Sequence, residues 1–213
     1  MTKEDLVGKK ILILGFGREG RDTLKFLRQN FPQEVLGIAD QLEEEKLEKE
    51  IQEEIKRDKN LKIYFGSDYL QAISEYEVIF KSPGIPLSKV APFLKKGQRL
   101  TSQTEFFLEN CPGMIIGVTG TKGKGTTASL LEQILKEGGK EVFLIGNIGE
   151  PVLSYLASAK SDLASAKSNS ETSLPDQFEA KRVLPSLESS KTFVQALSVS
   201  KIRRIFFVST SIS

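Results

Sequence analysis

Residues 117–127, GVTGTKGKGTT, set glycines, lysines and hydroxyls in the order that a phosphate cradle needs. Gly120, Gly123 and Gly125 free the backbone to curl its N–H groups around phosphate oxygens. Lys124 adds a point charge for the β- and γ-phosphates of a nucleotide, and the helix that follows aims its positive end at them. The stretch departs from the usual G-x-x-x-x-G-K-[ST] loop in two places. Val118 stands where the first glycine belongs, and Gly125 separates Lys124 from the hydroxyls of Thr126 and Thr127. If that glycine lengthens the turn, a hydroxyl in the first helical turn still reaches a magnesium ion, which makes Thr126 the expected metal ligand. The plain alternative is a lysine-rich turn between a strand and a helix. An apolar strand, a glycine loop, a lysine, paired threonines and an amphipathic helix in that order favour the phosphate site.

A second glycine set comes earlier. Gly15, Gly17 and Gly20 in GFGREG directly follow an apolar run and open a helical pattern, and Asp40 ends the next strand-like run. That is the dinucleotide fingerprint, with glycines for the tight turn, amides for a phosphate and an acid for a ribose. The same residues also suit another nucleotide diphosphate, or simple packing of helix on strand. Two further turns, KSPGIP at residues 81–86 and GNIGEP at 146–151, close apolar runs at the end where ligands bind in open α/β sheets. Asn147 in the latter is, on the residues alone, better explained as turn chemistry.

The elements that must hold these turns alternate along the chain. KILILGFG, EVLGIAD, LKIYFG and YEVIFK read as strands. Between them, residues 19–31 show Leu24, Leu27 and Phe31 at helical spacing, and residues 41–60 form a charged helix showing Leu42, Leu47, Ile51 and Ile55. Strands separated by helices imply βαβ units and a parallel sheet, hence an α/β fold. A second such unit starts near Cys111 with MIIGVTG, continues through a helix carrying Leu130, Leu131, Ile134 and Leu135, and returns as KEVFLIGNIG. The expected domains are therefore residues 1–110 and 111–213. After Pro151 the composition changes: LASAKS occurs twice within residues 156–168, and the stretch of about 154–178 reads as a low-complexity insertion. A last strand-like run covers residues 205–208.

Bulk composition narrows the chemistry. The net charge of +2 with interleaved signs gives no reason to expect nucleic acid or an anionic membrane as partner. No apolar run approaches the roughly 20 residues of a membrane helix, and the N-terminal segment has no secretory h-region. One cysteine rules out an internal disulfide framework and fits a reducing cytoplasm. With no histidine in 213 residues, imidazole catalysis and His-ligated zinc are excluded. Carboxylates, lysines, hydroxyls, backbone amides and hard cations remain.

Taken together, ILGFGREG, KSPGIP, GVTGTKGKGTT and GNIGEP resemble the Mur ligase superfamily, most closely its D-glutamate-adding branch, over about the first 150 residues. The resemblance implies a Rossmann-like N-terminal domain for a UDP-sugar, a P-loop-type ATPase domain and a third domain for the incoming amino acid. It implies that Gly17, Arg18, Asp40, Ser82, Pro83 and Gly84 hold the UDP part, and that Asn147 faces the muramoyl-peptide end. Thr119, Gly120, Thr121, Lys122, Gly123, Lys124, Gly125, Thr126 and Thr127 would bind ATP, with Lys124 and Thr126 serving catalysis and Thr126 holding Mg2+. The implied reaction phosphorylates the carboxylate of UDP-N-acetylmuramoyl-L-alanine and lets the amine of D-glutamate displace the phosphate. A cytoplasmic monomer in peptidoglycan synthesis is the expectation, with no nucleic-acid or membrane partner.

The end of the chain departs from the family pattern. In LESSKTFVQAL, Glu188 abuts Ser189 where the family has a residue between them, and Lys191 replaces an aromatic, so Glu188 is only a weak candidate for a second Mg2+ ligand and a plain surface turn is the favoured reading. The family's Asp-His segment, carbamylated lysine and amino-acid domain have no counterpart by Ser213, so the expectation is an incomplete ATPase domain and a truncated, inactive form. Two alternatives stand beside it. A folylpolyglutamate-synthase-like ligase also places Gly between Lys and hydroxyl, though about 110 residues precede the loop here. An NAD-dependent oxidoreductase fits the first fingerprint and leaves the second loop unexplained.

Overall fold

The computed structural model describes residues 1–111, 113–119, 122–146, 152–156, 193–197 and 204–210. The chain divides into two compact units, Met1–Asn110 and Cys111–Ser213.

In the first unit, Ile11–Leu14 (β1) is aliphatic at every position and buried on both faces, the pattern of a central parallel strand. Leu36–Asp40 (β2), Leu61–Phe65 (β3), Val78–Lys81 (β4) and Arg99–Thr101 (β5) complete a five-stranded sheet in the order β3-β2-β1-β4-β5, parallel at every pairing. The chain goes outward through β2 and β3, then returns to the other side of β1 with β4. The gap between β1 and β4 is therefore the switch point, where the connections diverge and leave a crevice at the carboxyl edge. This is a Rossmann-type α/β arrangement.

Arg18–Asn30 (α1) covers one face. Phe26 of α1 and Phe80 of β4 both meet Phe106 of Gln103–Asn110 (α4) edge-on, at 5.9 and 5.3 Å between ring centres. On the other face, Leu12, Leu14 and Ile79 pack with Tyr69, Ala72, Ile73 and Tyr76 from a 3-10 segment, Tyr69–Glu75, and the turn after it. Gly37 makes room for Tyr76, because a Cβ there would stand 2.3 Å from the tyrosine oxygen.

Two details differ from the sequence expectation. The charged stretch 41–60 forms a short 3-10 turn and then only Lys49–Arg57 (α2), in which Ile55 alone is buried. Its apolar positions are too sparse to seat five turns on the sheet, and Leu42 remains 40% exposed. Strand β5 was invisible in the pattern because RLT is short and mostly polar; pairing with β4 makes it a strand. The short helix Leu87–Val90 (α3) lies between β4 and β5 in the chain.

The second unit pairs Met114–Thr119 (β6), Glu141–Gly146 (β7), Phe193–Leu197 (β8) and Arg204–Thr210 (β9) in the order β7-β9-β6-β8. Strand β9 lies parallel between β6 and β7, while β8 runs antiparallel on the outer side of β6. Lys124–Glu137 (α5) connects β6 to β7. Val118, Ala128 and Val142 form its core with Leu131, Leu135 and Leu144 around them. Leu130 and Ile134 stay 57% and 55% exposed. They form a separate i, i+4 ridge, about 100° around the helix from Leu131 and Leu135, so one sheet face cannot cover both. Among the described residues no helix is long and apolar enough to cross a membrane.

Candidate functional site

In the first unit the two turns at the switch point are built on each other. The Ser82 N–H donates to the Leu14 carbonyl at 2.8 Å, and the Ser82 hydroxyl donates to the Gly15 carbonyl at 3.2 Å. Gly15 has a φ of +96°, and a Cβ on it would sit 2.6 Å from the Ser82 Oγ, so both conformation and space demand glycine. Gly20 is a packing glycine: its missing Cβ would meet the Gly15 carbonyl oxygen at 2.2 Å, which lets α1 dock closely on β1. Around Gly17 and Gly84, by contrast, no atom lies within 4 Å of the absent Cβ. Open space at these two glycines faces the region a ligand needs.

Lys81 fastens the KSPGIP turn. Its Nζ donates to the carbonyls of Ser82 and Ile85, both at 2.9 Å, closing the turn from beneath. Burial pulls this ammonium below its ordinary range, with the Glu19 charge acting the other way. Burial likewise pushes the Glu19 carboxyl up, opposed by Arg18 and Lys81. Next to them Gln103, 5% exposed, donates to the Glu19 carbonyl at 3.1 Å, the Asp22 carboxylate at 2.7 Å and the Thr23 hydroxyl at 3.3 Å. A buried amide with three acceptors joins α4 to α1 under the site.

Asp40 does more than the fingerprint expects. Its carboxylate accepts from the Phe16 N–H at 2.5 Å and from the Leu42 N–H at 2.8 Å. The acid therefore brackets the glycine turn to the end of β2, whatever else its remaining lone pairs receive.

These elements enclose an open cavity of about 290 Å³, lined by Gly15, Gly17, Asp40, Gln41, Tyr69, Ser82, Gly84, Ile85, Pro86 and Lys89. Of the residues named from sequence, Gly17, Asp40, Ser82 and Gly84 are on its wall. Arg18 and Pro83 are exposed and outside that lining. Gln41, Tyr69 and Lys89 were missed. No short motif marks them, since they reach the cavity through three separate elements. Burial, and then the nearby Asp40 charge, raise the Tyr69 phenol above its ordinary range.

In the second unit, Thr119 ends β6 in register with Thr210 of β9 and Phe193 of β8. The carboxyl end of β9 thus arrives beside the glycine loop. Helix α5 begins at Lys124, behind Gly123 at φ +76°. Gly125 does not lengthen the turn; it lies inside the helix as the second residue. Thr126 is third and exposed, and the Thr127 N–H already closes on the Gly123 carbonyl at 2.9 Å. Lys122 is exposed and Lys124 half-buried. The N–H groups of the first turn of α5 have no acceptor within the helix, so this end brings N–H groups, a lysine and a hydroxyl together. A nucleotide phosphate and its hard cation fit that donor set. Among the described residues no group of three His, Cys, Asp or Glu could hold a metal. Gly120, Thr121, Asn147 and Glu188 lie outside the described residues.

Comparison with known proteins gives this geometry a context. A UDP-N-acetylmuramoylalanine–D-glutamate ligase of Clostridium kluyveri is 35% identical over 157 residues, 71% of this chain and 33% of that one. The chain is a relative of the Mur ligases. A ligase of the same description from Clostridioides difficile is 31% identical over 188 residues, 83% of this chain and 40% of its own length. One from Acetivibrio thermocellus matches at 28% over 208 residues, or 93% of this chain and 44% of the relative. The chain thus spans a third to less than half of the curated ligases it matches. Among solved structures, a pseudomurein peptide ligase type C from Methanothermus fervidus aligns with 63% of this chain and 27% of its own, at 22% identity and a TM-score of 0.36. No family model matches.

Proposed function

We propose that this chain carries the nucleotide-binding part of an ATP-dependent ligase that adds D-glutamate to UDP-N-acetylmuramoyl-L-alanine in cytoplasmic peptidoglycan synthesis, working as a monomer. One observation carries the reading: in a relative of the Mur ligases, GFGREG and KSPGIP line one cavity at the switch point of a parallel sheet. That cavity would take the UDP end of the substrate. The Gly17 turn leaves room for phosphates, Asp40 keeps the turn in shape, Lys81 closes the KSPGIP turn on itself, and Ser82 ties that turn to the end of β1.

The α5 end would take ATP. Lys124 and the first amides of α5 would hold its phosphates, and the Thr126 hydroxyl would face the accompanying Mg2+. ATP with Mg2+ would supply the phosphoryl group that turns the substrate's carboxylate into an acyl phosphate, from which the attacking amine of D-glutamate would displace phosphate as the amide bond forms. The chain's own contribution to that transfer is electrostatic: fixed N–H dipoles and one ammonium placed where negative charge builds up. No histidine is required, in keeping with the composition.

The test is whether the full chain binds two nucleotides independently. UDP and ATP–Mg2+ should each bind by calorimetry, and saturation with one should leave the affinity for the other within about twofold. Mutual exclusion would mean a single shared site and would overturn the two-site reading.

A further inference from the structure

Two residues on the wall of the first unit's cavity carry charge, Asp40 and Lys89. The Asp40 carboxylate already bridges two backbone N–H groups of its own chain. Lys81, the other cation at this end of β4, lies outside the lining and donates to two carbonyls of the turn. Lys89 is different. It is exposed, lines the cavity, and among the described residues its ammonium has no hydrogen bond or ion pair. Its backbone is fixed: the Lys89 N–H donates to the Pro86 carbonyl at 3.0 Å, and the next residue, Val90, is fully buried in the core. The stem therefore starts from a rigid point on the wall of the same cavity that the open Gly17 turn lines.

The geometry points to Lys89 as the cation that receives the anionic, diphosphate end of the nucleotide ligand in the cavity that the GFGREG turn also lines. This rests on the nucleotide reading given above. Amides alone neutralise no net charge. An engaged Asp40 adds one negative charge to the wall, so a diphosphate entering this cavity needs a compensating cation, and Lys89 is the one on its lining. A lysine on a flexible stem makes such a contact as a point charge, sensitive to salt.

The experiment titrates the full chain with UDP and, separately, with uridine, for wild type, Lys89→Gln and Lys89→Arg. Lys89→Gln should weaken UDP about five- to tenfold at low salt, the range for one partly exposed charge-assisted contact, while uridine affinity stays within about twofold. Lys89→Arg should restore most of the UDP affinity, and the wild-type advantage should shrink as salt is raised. All three proteins should unfold at the same urea midpoint. Undiminished UDP binding by Lys89→Gln overturns the inference while leaving the nucleotide reading in place. An equal loss of UDP and uridine also overturns it, since that marks a packing effect. Failure of the wild type to bind either compound overturns the nucleotide reading itself.

Discussion

The two glycine turns of this chain have the same local plan, strand to glycines to helix, and use it in opposite ways. In the first unit the protein packs the base of its own turn at Gly15 and Gly20 and leaves only Gly17 open. Ser82 sits where a Gly15 Cβ would be, the Gly15 carbonyl sits where a Gly20 Cβ would be, and Asp40 takes the Phe16 N–H. In the second, Gly123 has a left-handed backbone but no atom within 4 Å of its absent Cβ. Glycine is needed in one case because the fold has no space, and in the other because the chain must turn while leaving space. The first turn is preorganised by the protein, and the second presents its helix end to whatever binds there.

That contrast can be broken in stages. Gly20→Ala should be the most damaging change. Its new methyl group would meet backbone oxygen at 2.2 Å, and overpacking against backbone should cost about 3 kcal/mol in urea unfolding. A loss below about 1 kcal/mol would show that α1 has slack and that the tight turn is no constraint. Lys124→Ala should weaken ATP–Mg2+ binding about thirtyfold, in the range of a lost charge-assisted contact, and leave UDP binding intact. Equal loss of both nucleotides would sink the separation of the two turns.

Gly123→Ala should cost only about 1–2 kcal/mol, the strain of a left-handed alanine without any clash. If it proved as costly as Gly20→Ala, the distinction between a crowded and an open glycine would fail. Asp40→Ala, which strands two backbone N–H groups that water can partly reach, should destabilise by about 1 kcal/mol and also weaken UDP binding. Asp40→Asn, keeping one acceptor oxygen, should recover part of both losses. The smallest effect concerns Cys111, whose thiol burial pushes up to about 11. A raised thiol pKa means less thiolate at pH 8, so alkylation by iodoacetamide should run more than tenfold slower than for a free cysteine. A rate equal to free cysteine would mean that Cys111 is not shielded.

Much of the fold was legible because buried parallel strands announce themselves as aliphatic runs. ILIL at residues 11–14 and VIF at 78–80 are buried throughout, and the glycines after them mark the carboxyl edge. What escaped was polar or sparse. RLT became β5 only by pairing with β4, and FVQAL became β8 only by running antiparallel to β6. Helix α5 was legible as an amphipathic helix, but which of its four large aliphatic residues pack was not: Leu131 and Leu135 join the core while Leu130 and Ile134 stay in solvent. In the site, Gly17, Ser82 and Gly84 stood out as members of short motifs. Gln41, Tyr69 and Lys89 could not, because a cavity wall assembled from distant segments leaves no spacing to read.

The sequence by itself determined the alternation of strands and helices, the two glycine turns and the absence of any histidine chemistry. These follow from side-chain type and from spacing along the chain, which are local properties. Only the tertiary structure decided that β1 and β4 are neighbours, and so that GFGREG and KSPGIP share one cavity. It also decided that Asp40 brackets a turn, and that Gly125 belongs to a helix. The reason is physical: hydrogen bonds such as Ser82 to Gly15 and Asp40 to Phe16 join residues 67 and 24 positions apart. Which distant groups meet is set by how the whole sheet buries its faces.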